Sequence, residues 1–332
     1  MAKAQLIDKF GRVHDYLRIS LTERCNLRCF YCMPECGIPL RDNNIFMTEQ
    51  ETIGIAKIFT ELGVNKIRLT GGEPLIKKNA KELIEGIGKL PVKLAITSNG
   101  VLVDKFLDTF KKANLKTINI SIDSMDKEKF NEITRRNHYD RIVNNIELLL
   151  TEGFRVKLNV VAIRGVNDNE IYSFINLSKD YDLAVRFIEF MPFDGNKWNW
   201  DKMLSYKEIM GKVNTHFTEP NVIRIEDEPN DTSKNYRIEG YKGTFGIISP
   251  VSNPFCESCN RIRLTADGKI KNCLFSQEEF DILTPYRNGE DIKPLIQNAI
   301  NEKHKERGGI DAFGVDFDSD KFKNRSMTAI GG

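Results

Sequence analysis

The chain has 332 residues and balances 49 Lys and Arg against 47 Asp and Glu, for a formal net charge of +2. That balance excludes a charge-driven nucleic-acid or membrane-surface partner, so any anion site must be local, and the length suits one main domain with an appendage. No run of about 20 apolar residues could span a bilayer, and MAKAQLIDKFGRVHDYLRIS lacks the apolar core of a secretory signal. The expectation is a cytoplasmic protein whose seven cysteines are metal ligands or reactive thiols, not a disulfide framework.

From residue 16 to about 190, short β-branched runs alternate with stretches of helical period. The first strand, YLRISL (16–21), runs directly into CNLRCFYC, which sets Cys25, Cys29 and Cys32 in C-x3-C-x2-C spacing. TEQETIGIAKIFTELG follows as a helix, with Thr48 and Glu51 at capping-box spacing and Gly63 at the stop. Further strands are KIRLT (66–70), KLAIT (93–97), TINISI (117–122), VKLNVVA (156–162) and VRFIEF (185–190). Such alternation calls for a parallel sheet with right-handed crossovers, and six units fall short of a closed eightfold barrel. The fold class is therefore α/β, a partial, open (β/α)6 TIM-like barrel.

After Pro192 the rhythm changes, and DEPNDTSKN (227–235) is a breaker-rich loop. A boundary near 225 divides the barrel (1–225) from a C-terminal region (226–332) that carries Cys256, Cys259 and Cys273. Within it, RIRLTADGKIKNCLF predicts a β-hairpin turning at Asp267-Gly268, which folds Cys273 back toward the other two cysteines.

Three thiolates on a loop at the C-terminal end of a strand lie on the functional face of a parallel α/β fold. They suit a four-iron cluster in which one iron has no protein ligand and can chelate something else. The alternative is a structural zinc site with Cys36 as fourth ligand. TGGEP (70–74) ends the second strand, where two glycines permit close backbone approach to a ligand or simply form a tight turn. TSNG (97–100), SIDS (121–124) and EFMP (189–192) bring small polar groups to the same rim. Cys256, Cys259 and Cys273 repeat the three-thiolate pattern as C-x2-C-x13-C, and Arg261 and Arg263 between them share one strand face. Paired guanidiniums there suit a phosphate-bearing substrate, or form a solvated ladder on an edge strand. The histidines, His14 and His138 among them, have no metal-ligand spacing and belong to packing or surface.

C-x3-C-x2-C with Tyr31 before its last cysteine, together with GGEP, resembles the radical S-adenosylmethionine (SAM) superfamily. Adding the C-terminal C-x2-C-x13-C around NRIR and the terminal Gly331-Gly332, the chain closely resembles the GTP 3′,8-cyclase family of molybdenum cofactor biosynthesis. The resemblance implies two [4Fe-4S] clusters. The first would be held by Cys25, Cys29 and Cys32 and would chelate SAM, with Tyr31, Gly72, Ser121 and Met191 lining the SAM pocket. The second, auxiliary cluster would be held by Cys256, Cys259 and Cys273, its open iron meeting the guanine. Arg18, Arg68, Thr97, Lys157, Arg186, Arg261, Ile262 and Arg263 would bind GTP, and the Gly331-Gly332 tail would reach into the active site. A 5′-deoxyadenosyl radical would take hydrogen from C3′ of the ribose, and the carbon radical would attack C8 to give 3′,8-cyclo-7,8-dihydro-GTP. Implied partners are a low-potential donor of flavodoxin or ferredoxin type, a downstream cyclic pyranopterin monophosphate synthase, and a second copy in a homodimer. The competing readings are a peptide-modifying radical enzyme, which usually carries more C-terminal cysteines, and a non-enzymatic iron–sulfur or zinc-binding module.

Overall fold

The computed structural model describes residues 4–331 except 34, 35, 40, 195, 218, 219, 311, 312, 314–316, 318–321 and 323. Six parallel strands follow one another in space in chain order: β1 (Tyr16–Ser20), β2 (Lys66–Thr70), β3 (Lys93–Ser98), β4 (Thr117–Ser121), β5 (Arg155–Ala162) and β6 (Ala184–Glu189). Each lies within a residue or two of the run that predicted it, and the sheet stays open.

The alternation along these strands separates two environments. Leu17, Ile19, Ile67, Leu69, Ile96, Ile118, Leu158 and Phe187 turn outward into one apolar core beneath the helices. Helix α1 (Glu49–Glu61) shows the logic of that layer: its buried residues Thr52, Ile55, Ala56 and Phe59 fall at i, i+3, i+4 and i+7, and the last three enter that core. Its start is fixed by the expected capping box, Thr48 Oγ1 accepting from Glu51 N at 3.3 Å and Glu51 Oε2 from Thr48 N at 2.7 Å. Such a cap contributes about 1 kcal/mol.

The opposite strand faces carry Tyr16, Arg18, Lys66, Arg68, Thr97, Asn119, Lys157 and Arg186, and they line a cavity of about 920 Å³. A closed barrel fills its lumen with branched apolar side chains. Here the lumen is polar and open, and it is the site.

The chain beyond β6 joins this sheet at both edges. β7 (Val222–Arg224), β8 (Ser233–Ile238) and β9 (Thr244–Ile248) form an antiparallel set whose last strand pairs parallel with β6. β10 (Arg261–Leu264) pairs parallel with β1 and antiparallel with β11 (Lys269–Lys271), which pairs with β12 (Phe280–Asp281). The β10–β11 hairpin turns through Gly268 at φ +71°, as the Asp267-Gly268 signal predicted. Among the described residues, one sheet of twelve strands thus runs from β12 to β7.

Candidate active site

The loop after β1 is wound tightly: the amides of Cys32 and Met33 both donate to the Cys29 carbonyl, at 3.0 and 3.1 Å. Arg28 staples it from within, Nη1 donating to the Cys25 carbonyl at 2.5 Å and to that of Leu27 at 2.9 Å. Cys25, Cys29 and Cys32 all line the cavity. Burial, followed by the charge of Glu73, pushes the Cys25 thiol up to about 11. Burial, then Cys25 and Asp123, pushes Cys32 to about 12, and Cys29 is raised well above the usual range by burial, Asp123 and its two cysteine neighbours. Three sulfurs that resist ionisation together require a positive centre to become thiolates. Iron supplies one, and three soft donors with no fourth fit a four-iron cluster with one open position. Cys36, the fourth ligand the zinc alternative named, is exposed and lies outside the cavity lining.

The glycines of TGGEP serve this loop first. Gly71 sits at φ +145°, and a Cβ on Gly72 would collide with the carbonyl of Arg24. The Gly72 amide donates to Thr22 O at 2.7 Å and the Glu73 amide to Arg24 O at 2.8 Å. The Gly72 N–H is therefore not available to a ligand, and the close approach that the two glycines permit is made by the cysteine loop; Gly72 still lines the cavity through its other atoms. Glu73, fully buried, accepts from Ser98 Oγ at 2.9 Å, Asn99 N at 2.6 Å and Leu75 N at 3.0 Å, tying TGGEP to TSNG. Tyr31, Ser121 and Met191 share the lining, and the Tyr31 hydroxyl donates to Asp123 at 2.5 Å.

Cys256, Cys259 and Cys273 line the same cavity. At Cys259, burial alone would raise the thiol, but Lys303 and Arg261 outweigh it and bring it down to about 6. Lys303, itself buried, reaches Cys259 Sγ at 3.4 Å and the Arg261 carbonyl at 3.1 Å, and the Arg307 amide meets Cys256 Sγ at 3.5 Å. This donor set also fits an iron–sulfur cluster, with N–H groups already directed at its sulfurs.

Between the thiolate sets lies a cage of cations. Register places Arg18 beside Arg68 on one side and Arg263 on the other, and Tyr16 beside Lys66 and Arg261. Lys157 and Arg186 add charge from β5 and β6. Burial first, then the neighbouring cations, brings Arg186 and Arg263 down to about 9 and Lys157 to about 8. Arg18 Nε, Arg186 Nε and Nη2, and Arg261 Nε and Nη1 are buried without a hydrogen-bond partner. Thr97 Oγ1 accepts from Arg68 Nη1 at 3.2 Å and so orients one guanidinium. Ile262 departs from the group: its side chain is fully buried in the outer core, and only backbone atoms could meet a ligand.

The described end of the tail reaches the cage, because Arg263 Nη1 donates to the Gly331 carbonyl. Gly332 lies outside the described residues. Arg325 anchors the approach, bonding Asp267 at 2.8 and 3.0 Å and Glu279 at 2.5 Å. Arg325→Ala removes the nearer cation from two largely buried carboxylates, leaving Asp267 only Arg41 at 3.2 Å and Glu279 only Lys269 at 3.9 Å, and a loss of about 1–3 kcal/mol is expected. Thermal denaturation reads it, and a melting temperature equal to wild type would show that the anchor carries no load.

Sequence reasoning singled out the arginines but missed Tyr16, Lys66, Asn119 and Asn159, all of which line the cavity. The signal was present: Tyr16 and Lys66 stand two residues before Arg18 and Arg68, on the same faces. Lys303 had no such signal, since its contact with Cys259 spans 44 positions.

The Radical SAM superfamily pattern matches residues 19–178, and the Molybdenum Cofactor Synthesis C pattern residues 183–308. Among solved structures, Streptococcus suis SuiB superposes with a TM-score of 0.63 over 89% of this chain and 68% of that one, at 14% identity, a likeness of fold alone. "Molybdenum cofactor biosynthesis protein moc-5" of Caenorhabditis elegans is 45% identical over 89% of this chain, which spans 50% of that longer protein. A "GTP 3′,8-cyclase" of Listeria monocytogenes is 40% identical over 98% of this chain and 99% of its own length. With near-complete coverage in both directions and two matched patterns, the chain belongs to the GTP 3′,8-cyclase family of the radical SAM superfamily.

Proposed function

We propose that this protein converts GTP to 3′,8-cyclo-7,8-dihydro-GTP, the first step of molybdenum cofactor biosynthesis, using SAM and two four-iron clusters. The observation that carries this reading is the set of buried, unpartnered guanidinium nitrogens on Arg18, Arg186 and Arg261, in a cavity shared by both three-cysteine sets. Buried cations of this kind are costly until an anion arrives, and a polyphosphate supplies it. The cavity, near the upper end of the roughly 300–1,000 Å³ usual for small-molecule sites, has room for a nucleotide beside SAM.

When bound, the first cluster supplies the electron that cleaves SAM and so gives rise to the hydrogen-abstracting radical. The chain's own residues do the positioning. Arg18, Lys66, Arg68, Lys157, Arg186, Arg261 and Arg263 hold the phosphates and orient the ribose, and guanidiniums near 9 stay charged at neutral pH. Phe193 stacked on Phe275, with Phe313, Trp198 and Met191 in the same apolar cluster, keeps water from that wall. An electron donor of flavodoxin or ferredoxin type, delivery to a cyclic pyranopterin monophosphate synthase and a reducing, cytoplasmic setting complete the reading.

The decisive experiment is anaerobic: protein reconstituted with iron and sulfide is given SAM, GTP and dithionite, and products are followed by mass spectrometry. Both 5′-deoxyadenosine and a GTP-derived product should appear. 5′-Deoxyadenosine formed without GTP loss would sink the substrate assignment. A pH dependence follows from Lys157: it is charged below about 8 and neutral above, so GTP affinity should fall more steeply once the pH passes that value. Lys157→Arg should move that steepening to higher pH, and an unchanged profile would remove Lys157 from the phosphate site.

A further inference from the structure

Tyr16 opens β1 and points into the cage, 5% exposed. Cations from three adjacent strands surround its ring: Lys66 Nζ lies 4.6 Å from the centroid, and the guanidinium carbons of Arg18, Arg261 and Arg68 at 5.7, 5.9 and 6.0 Å. Its oxygen accepts from Arg68 Nε at 2.5 Å, with Arg18 as a second neighbour. The side-chain groups facing it from β1, β2 and β10 are donors and cations, and among the described residues a phenol hydrogen has no acceptor. Asp231 lines the cavity but is exposed, and it engages Asn235 at 3.1 Å. Burial alone would keep the phenol neutral, but Arg68, Arg18 and Lys66 outweigh it and hold it at about 6.

We propose that Tyr16 is the resident counter-ion of the cage: a phenolate while the site is empty, and a phenol once the polyphosphate tail of a nucleotide has taken over its role. On binding, the phenolate oxygen takes one proton from solvent, and no other bond is made or broken. The nucleotide rests on the GTP reading above; the counter-ion role requires only a polyphosphate.

The test uses reconstituted, SAM-loaded protein at pH 8, titrated with inorganic tripolyphosphate, which does not absorb in the near ultraviolet. The phenolate band should be present at the start and lost at saturation, and Tyr16→Phe should lack it throughout. Calorimetry in two buffers should show one proton more taken up by wild type than by Tyr16→Phe. The same comparison at pH 7, where Arg186 and Arg263 at about 9 stay charged in both proteins, separates the proton of Tyr16 from those of its cationic neighbours. With its competitor removed, Tyr16→Phe should bind tripolyphosphate about 10- to 100-fold more tightly than wild type at pH 8. A missing band in empty wild type, a band that survives saturation, or weaker binding by Tyr16→Phe would each overturn the proposal. If the variant fails to fold, the wild-type spectrum alone decides. If tripolyphosphate behaves as described while GTP does not bind, the counter-ion stands and the nucleotide reading falls.

Discussion

Cys29→Ser protein, reconstituted under anaerobic conditions, should form no 5′-deoxyadenosine. Cys29 sits at the centre of its loop, its carbonyl receiving the amides of Cys32 and Met33, so the substitution leaves the backbone turn in place and removes only the sulfur. A serine hydroxyl is a harder and far less acidic donor than a thiol and does not replace thiolate on iron. Two sulfurs remain, too few for a cluster with only one open iron. Iron content should fall by about half, or about four atoms, because Cys256, Cys259 and Cys273 are untouched. Nearly complete loss of SAM cleavage with half the iron retained is the expected pair of readings. Wild-type iron with wild-type SAM cleavage would show that this loop is not the SAM-cleaving centre.

Arg263→Ala should separate SAM cleavage from product formation. Arg263 is 6% exposed, stands in register with Arg18, and holds the Gly331 carbonyl, so its loss removes a cation of the cage and the hold on the described end of the tail together. Truncating one partner of a buried, charge-assisted contact costs about 2–5 kcal/mol, which corresponds to roughly 30- to 4,000-fold in cyclised product. SAM cleavage should persist, because Arg263 stands on β10, outside the Cys25–Cys32 loop. Lys at this position restores charge without the planar fork and should recover only part of the activity. Product formation at the wild-type rate in Arg263→Ala would remove both the phosphate and the tail role.

The barrel was legible because each of its strands carries two signals at once, β-branched composition and a clean period of two. VKLNVVA reads as a strand, and its phase already separates Val156 and Leu158 from Lys157. β8 was not legible, since RIEDEPNDTSKNYRIEG is polar and rich in breakers, and the strand exists through its pairing with β7 and β9, the latter carried by β6. The helix Tyr206–His216 was also missed, although Ser205 and Glu208 repeat the capping-box spacing that marked Thr48 and Glu51. Both cysteine sets were legible as motifs, but their meeting in one cavity depends on β10 adding to β1, a pairing that no local pattern reports. The GG of TGGEP was legible as a close approach. That the approaching backbone belongs to the cysteine loop came only from the fold.

Seven cations, Arg18, Lys66, Arg68, Lys157, Arg186, Arg261 and Arg263, enter the lumen from five strands because each occupies the same phase of the pleat. A one-residue slip reverses every side chain on a strand. One residue inserted into β1 ahead of Arg18 would drive Tyr16 into the outer apolar layer and break its pairing with Lys66 and Arg261. No point substitution in that strand would disturb so much at once. The tolerance of β1 to insertion and deletion should thus be far lower than its tolerance to replacement. Grafts between relatives should conserve spacing before they conserve identity.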